Sequence, residues 1–267
     1  MCLEEILHHL STDGFCRLPE AIPREKVGHV RESVERTVQS EHYRNSGGAH
    51  LIEFDQSFAP YLTDERITEV ARRLWGPYFR ISFTRYVSQR PNLDARPGGP
   101  GQHGNWHSDW PYGQRYEGHV VSPYSINTMM TFTTLWMLSP FTPETGATFV
   151  VPGSHKAGNN PTGGYGVAGD ARYSTEHQIT GEPGDVLLFD ARTWHAAGIN
   201  ISDHTRSAMR ICWVPWWLNV NILDPSSVER IPMEQAGKGP FVVRPLPSGV
   251  YEILPEDVKP LFHHWVR

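Results

Sequence analysis

From Tyr78 to Trp213 the chain is a succession of short runs rich in β-branched and aromatic residues, set apart by clusters of Gly, Pro, Asn and Asp. Runs that short cannot make long helices, and turn residues at each interval reverse the backbone. The segment therefore reads as an antiparallel sandwich or barrel. The spacing predicts strands over Phe79–Gln89, Met129–Leu138, Thr148–Val151, Asp185–Phe189, Thr193–Ala197 and Ser207–Val214, with a weaker one at Phe241–Arg244. Two of the intervening loops, Asn92–Gly104 and Asn159–Gly169, are rich in Gly and Pro and long for a compact domain. Loops of that length form the rim or lid of a site more often than slack.

Helical periodicity is confined to the chain before Tyr78. Leu3, Ile6, Leu7 and Leu10 share one face and stop at Ser11-Thr12-Asp13-Gly14; Pro23 opens a second helix carrying Val27, Val30, Val34 and Val38. Thr63-Asp64 opens a third, with Ile67, Val70, Ala71 and Leu74 on one side and Gly76-Pro77 as its stop. The expected organisation is one mainly β domain over 1–267: a helical part over about 1–77, the β region over about 78–215 and an extension over about 216–267.

Charge narrows the function. Twenty-four Lys and Arg against 29 Asp and Glu leave −5, with no basic run. A nucleic-acid binder needs a basic face for phosphates, and an anionic membrane surface asks for the same, so neither is an expected partner. No apolar stretch reaches the length of a membrane span, and Met1-Cys2-Leu3-Glu4-Glu5 is acidic where a secretory leader is basic. Cys2, Cys16 and Cys212 are odd in number and scattered, which supports neither a disulfide framework nor a zinc-thiolate site. The expected location is cytoplasmic. Fourteen His in a chain without Cys pairs direct the search to an oxygen and nitrogen metal site.

His107-Ser108-Asp109 sets an imidazole and a carboxylate at i and i+2, which puts both on one face of an extended segment. His195 is the candidate third ligand, because Gly184–Asp190 reads as a turn and buried strand that delivers Trp194-His195 to the start of another. Two His and one carboxylate on a rigid β frame make the facial triad of non-haem Fe(II) oxygenases, with coordination positions left open. Arg206 follows His195 by eleven residues and begins a strand; a buried guanidinium there calls for a carboxylate partner, and a dicarboxylate cosubstrate would supply one. Arg210 has the same strand parity and competes for that role.

The runs Asn105-Trp106-His107-Ser108-Asp109-Trp110, Glu144-Thr145-Gly146-Ala147-Thr148, Val151-Pro152-Gly153-Ser154-His155-Lys156 and Gly181-Glu182-Pro183-Gly184-Asp185, continued through Trp194-His195 to Asn200 and Arg206, resemble the phytanoyl-CoA dioxygenase family. Within it, Tyr86–Asn92 and Trp106–Asp109 are most similar to the ectoine hydroxylase branch. The resemblance implies a double-stranded β-helix, a jelly-roll barrel of the cupin type. It also implies Fe(II), 2-oxoglutarate and O₂ acting together to hydroxylate a small-molecule metabolite, with release of succinate and CO₂. By that resemblance His107, Asp109 and His195 bind iron and Arg206 holds the distal carboxylate of 2-oxoglutarate. Trp136 lines the cosubstrate pocket, and Gln89 and Asn92 stand near cosubstrate or substrate. Desaturation, ring formation and epimerisation belong to the same chemistry, whereas the presence of Asp109 argues against halogenation.

Trp110, Arg115 and Tyr112 follow the metal motif and are expected near substrate. Trp213, Trp216 and Trp217 are either core or pocket wall. His155 is expected to be a hydrogen-bonding loop residue and not a ligand, and His103 and His119 are expected on exposed loops. Two rivals remain open at this point: a metal cupin enzyme that dispenses with 2-oxoglutarate, for which Arg206 has no role, and a catalytically silent barrel, which should have lost a ligand. The substrate and the oligomeric state are not legible in the sequence.

Overall fold

The computed structural model describes residues 1–46, 50–92, 94, 102–109, 128–157, 171–218 and 245–266. The three long helices stand where periodicity put them. Leu3–Thr12 (α1) buries Ile6 and Leu10, and Arg24–Gln39 (α2) buries Val27, Val30 and Val34. Asp64 caps Glu65–Trp75, accepting from the Arg66 amide at 3.0 Å, and that helix buries Ile67, Val70 and Ala71 before Gly76 ends it. Shorter helices, Glu41–Asn45 and Leu51–Phe54, lie between them.

Two antiparallel sheets make up the β region. The larger is formed by Phe15–Leu18 (β1), Arg80–Gln89 (β2), Phe132–Met137 (β3), Val186–Asp190 (β6) and Arg206–Val214 (β8), in the order β1-β6-β3-β8-β2. The smaller takes Phe149–Val150 (β4), His177–Gln178 (β5) and His195–Ala196 (β7) in the order β5-β4-β7. Strand alternation divides the larger sheet into two faces. Phe132, Trp136, Val186, Leu188, Met209, Ile211 and Trp213 share one apolar core with the helices, while Leu135, Met137, Leu187, Phe189 and Ala208 pack on the other side with Phe141 and Ala147. A third cluster, Trp106, Phe149, Val151, Trp194 and Ala196, covers the alternate face of the smaller sheet. The inner faces of the two sheets thus hold the site.

Two segments depart from expectation. The N-terminal part is not purely helical, because β1 pairs with β6 through Phe15↔Phe189 to Leu18↔Val186 and closes one edge of the larger sheet. Four residues are too few for alternation to show; tertiary contacts fix the strand. Asp185, fully buried, accepts from the Glu20 amide at 3.0 Å, from Arg24 Nη2 at 2.6 Å and from Arg17, which ties β1 and the start of α2 to the turn before β6. The described part of 216–267 is no loose extension either. Leu246, Leu254, Val258, Leu261, Phe262 and Trp265 join the helix-side core, and Trp265 Nε1 donates to the Ile81 carbonyl at 2.9 Å. The weaker strand over Phe241–Arg244 and the loop Asn159–Gly169 lie outside the described residues.

Candidate metal centre

Residues 102–109 run antiparallel beside 195–199, bonded through Gly104 N–H to the Ala197 carbonyl and through a reciprocal pair at His107 and His195. Because β7 also pairs with β4, Val150 opposite His195, both imidazoles project to the same inner face. Their tautomers are set by carbonyls: His195 Nδ1–H donates to Thr193 O at 2.9 Å and His107 Nδ1–H to Asn105 O at 3.3 Å. Each ring therefore turns its Nε2 lone pair away from the backbone, the orientation that metal-binding His require. One donor atom each from His107, Asp109 and His195 lies within 4.8 Å of the others. A nitrogen, nitrogen and oxygen set of that span fits a single Fe(II) at one face and leaves the opposite positions open.

Asp109 is held at both oxygens. Thr133, on the inner face of β3, donates its hydroxyl to Oδ2 at 2.8 Å, and Arg210 Nη2 donates to Oδ1 at 2.7 Å, with His195 Nε2 at 3.5 Å from that same oxygen. Burial pushes the carboxyl upward, but Arg210 and the two imidazoles outweigh it and hold Asp109 well below the usual carboxylate range. Burial, reinforced by His195, pushes His107 down to about 3. The group therefore presents a carboxylate and a neutral imidazole at physiological pH, the states a metal needs.

Arg206 stands at the other end of the same face. It is 4% exposed, with Nη1 donating to the Gly146 carbonyl at 2.7 Å and its guanidinium over the Phe141 ring at 4.2 Å. Burial lowers its pKa to about 10, which leaves it charged at neutral pH. Its Nε has no partner, and among the described residues no carboxylate pairs with it. A buried cation in that state fits an incoming carboxylate. Arg210 shares the parity but is ion-paired with Asp109, whereas Arg206 meets no carboxylate among the described residues. Gln89 lies directly opposite Arg206 in the β2–β8 ladder and so shares its face. Asn92 is exposed and engages through its backbone, its N–H donating to the Asn200 carbonyl at 2.7 Å. Asn200, fully buried, donates in turn to the carbonyls of Gln89 and His204 and fixes the bend that leads into β8.

Three expectations need correction. Trp136 does not line the cosubstrate pocket: it is paired with Val186 and Met209 on the helix side, and its Nε1 donates to Thr134 Oγ1 at 2.9 Å. Trp213 does not contact substrate, since it lies on that same outer side, stacked at 5.7 Å on Phe132 with its Nε1 also bonded to Thr134. His103 is not exposed at its ring, which packs against Trp106 and Phe149 with Nε2 3.6 Å from Glu176. His155 behaves as expected, bonding the Ser11 carbonyl and standing apart from the ligand cluster. Trp216 and Trp217 are about half exposed. Trp110, Tyr112, Arg115 and His119 lie outside the described residues. Sequence reasoning missed the contact of Thr133 with Asp109 and the parts played by Gly146 and Asn200; for Asn200 its place between His195 and Arg206 was a usable signal.

Two antiparallel sheets enclosing a two-histidine, one-carboxylate cluster and a buried arginine define a non-haem iron oxygenase of the kind that uses an oxo-acid cosubstrate. Residues 10–208 match the family model described as Phytanoyl-CoA dioxygenase (PhyH), and the chain belongs to that family. It is 25% identical over 236 residues to an ectoine dioxygenase of Streptomyces coelicolor, covering 75% of this chain and 74% of the relative. Among solved structures it is similar to HygX from Streptomyces hygroscopicus with nickel and 2-oxoglutarate bound, with a TM-score of 0.63, 18% identity and coverage of 86% and 93% of the two chains. EctD from S. alaskensis with 2-oxoglutarate and 5-hydroxyectoine gives a TM-score of 0.60 at 20% identity over 86% of this chain and 81% of that one. The protein is thus an Fe(II)- and 2-oxoglutarate-dependent dioxygenase that oxidises a small molecule. Among the described residues no helix is long and apolar enough to cross a membrane.

Proposed function

We propose that this chain is a hydroxylase of a small polar metabolite, in which His107, Asp109 and His195 ligate the iron and Arg206 grips the far carboxylate of 2-oxoglutarate. The observation that carries this reading is the buried Arg206, which meets no carboxylate among the described residues, on the same inner face as the ligand cluster. We further propose that the two sheets close into one jelly-roll barrel and that the whole chain is a single domain. Three free cysteines support a cytoplasmic setting.

Bound Fe(II), with 2-oxoglutarate and O₂, supplies the oxidising chemistry. The chain supplies placement. His107 and His195 each keep their proton on Nδ1 through a backbone carbonyl, so Nε2 remains a donor throughout turnover. Thr133 and Arg210 restrain the Asp109 carboxylate, which limits it to one orientation. Arg206 orients the cosubstrate along the inner face, and Leu135, Leu187 and Phe189 keep that face dry. Relatives named ectoine dioxygenases act on a small polar compound, and a substrate of that size and polarity suits an inner face carrying Gln89, Arg85 and Arg210 better than a long acyl chain.

Anaerobic titration of Fe(II)-loaded protein with 2-oxoglutarate tests the reading through the visible metal-to-ligand charge-transfer band. The band is expected in the wild type and absent in His195→Ala, and Arg206→Ala should require far more 2-oxoglutarate. A wild type with confirmed iron and no band, or turnover in Arg206→Ala without the oxo acid, would sink it in favour of a cosubstrate-independent cupin enzyme.

A further inference from the structure

The turn between β6 and β7 is bonded to both Asp109 and His195. Its Ala191 carbonyl accepts the Asp109 N–H at 2.7 Å, and its Thr193 carbonyl accepts His195 Nδ1–H at 2.9 Å. Within the turn, Arg192 grips Asp190 with Nε at 2.9 Å and Nη2 at 2.6 Å, and the Thr193 N–H closes back on the Asp190 carbonyl at 2.8 Å. Those bonds are local, and none of them reaches the peptide that joins Thr193 to Trp194, whose carbonyl sets the tautomer of His195.

Two distant pieces of chain hold that peptide. Ser154 Oγ, which donates to the Val151 carbonyl at 2.6 Å, accepts the Trp194 N–H at 2.8 Å, and the Val151 N–H donates to the Trp194 carbonyl at 3.0 Å. At the Thr193 end, Oγ1 donates at 3.0 Å to the carbonyl of Gly14, 179 residues earlier, and the same carbonyl takes the Asp190 N–H at 2.8 Å. Gly14 is buried at the end of α1, where its N–H donates to the His9 carbonyl at 3.0 Å and its φ of +89° favours glycine. An added Cβ would stand 2.5 Å from both Thr193 Oγ1 and His155 Nδ1, side chains that are themselves buried. The helix stop at Ser11–Gly14 is thus also a close contact with the turn that carries His195.

We propose that Gly14, Thr193 and Ser154 are positioning residues for His195. The bond to Gly14 fixes where the Thr193 backbone lies, and the bond to Ser154 fixes the rotation of the following peptide plane about its Cα–Cα axis. Together they aim the Thr193 carbonyl at Nδ1, so that the imidazole presents Nε2 in one orientation. The proposal rests on the ligand role proposed above for His195 and adds the support behind it. Partners of this kind set the basicity and direction of a ligating imidazole, and a site loosened by a fraction of an ångström binds its metal more weakly.

Metal-free protein is titrated without oxygen with Fe(II), for a dissociation constant, and with Co(II), for the visible ligand-field spectrum, beside thermal unfolding of the metal-free form. Thr193→Val keeps the shape and removes the donor to Gly14, and Ser154→Ala removes the acceptor for the Trp194 N–H. Each should raise the Fe(II) dissociation constant about tenfold and alter the Co(II) spectrum, as loss of an outer-shell partner does. Thr193→Ser, which keeps the hydroxyl, should return both readings to those of the wild type. Gly14→Ala should behave as Thr193→Val does, whereas Gly76→Ala, with a φ of +79° but no atom within 4 Å of the new Cβ, should not. If Gly14→Ala does not fold, the Thr193 and Ser154 variants decide alone. Lower thermal stability with an unchanged dissociation constant and spectrum would make these residues scaffold and overturn the proposal, as would a Thr193→Ser variant as weak as Thr193→Val. A wild type that takes up neither metal, or a His195→Ala variant that binds both as the wild type does, would instead overturn the ligand reading, and this inference with it.

Discussion

His107 and His195 exchange both backbone hydrogen bonds, at 3.0 and 2.9 Å, with their imidazole centroids 4.1 Å apart. The two proposed ligands are thus positioned by the main chain itself. His107→Ala and His195→Ala should keep the wild-type far-UV circular dichroism yet lose bound iron, measured by metal analysis after desalting. Retention of stoichiometric iron by either variant would remove that residue from the ligand set.

Asp109 extends the same logic to its supports. Thr133→Val keeps the side-chain volume and removes the donor to Oδ2. Loss of an outer-shell partner weakens a metal site by about tenfold or more. The expected result is a rise of that size in the Fe(II) dissociation constant, with thermal stability little changed because β3 and its ladder are untouched. An unaltered dissociation constant would mean that Arg210 alone positions the carboxylate.

What the sequence disclosed and what it hid follow from range. The clustering of His107, Asp109 and His195 was legible because short motifs carry their own spacing, and the long helices because their apolar positions repeat every three to four residues. The facing of Trp136 and Trp213 was not, since alternation says which residues share a side but not which side meets the helices. Thr133, an unremarkable residue in a β run, gained its role only when β3 came to lie across from Asp109. The bulge at Ser82 leaves no mark in composition, yet it decides where Arg85 points. β1 and the C-terminal core residues depend on contacts with chain more than 150 residues away, such as Trp265 with Ile81.

Gly146 links backbone conformation to the proposed cosubstrate residue, Arg206. Its φ is +74°, an added Cβ would stand 2.4 Å from the Gly198 carbonyl, and its own carbonyl accepts from Arg206. Gly146→Ala should cost about 1–3 kcal/mol in strain and shift that acceptor. The half-saturating 2-oxoglutarate concentration should rise about tenfold, with iron retention unaffected. Gly153→Ala serves as the control, since its φ is +75° but the nearest atom to the new Cβ is 3.8 Å away. Equal behaviour of the two variants would show that the effect is general strain and not the Arg206 contact.

Buried neutral imidazoles set the acid limit of the fold. Burial is the leading cause that pushes His50, His107 and His264 each down to about 3, with nearby positive groups adding to it. In the unfolded chain the same groups titrate near 6.5, so between about pH 6.5 and about 3 the unfolded state binds up to three more protons. Stability therefore falls as the pH is lowered through that window, and these groups contribute no slope above it. Three protons correspond to at most about 4 kcal/mol per pH unit. Urea midpoints of the metal-free protein should drop steeply between pH 7 and 5, and His264→Gln should flatten the fall by about one proton, or ~1.4 kcal/mol per pH unit. Bound iron should protect His107 and move the loss to lower pH, because a metal competes with the proton for the same Nε2. A midpoint that stays level from pH 7 to 5 would contradict the burial of these rings in neutral form.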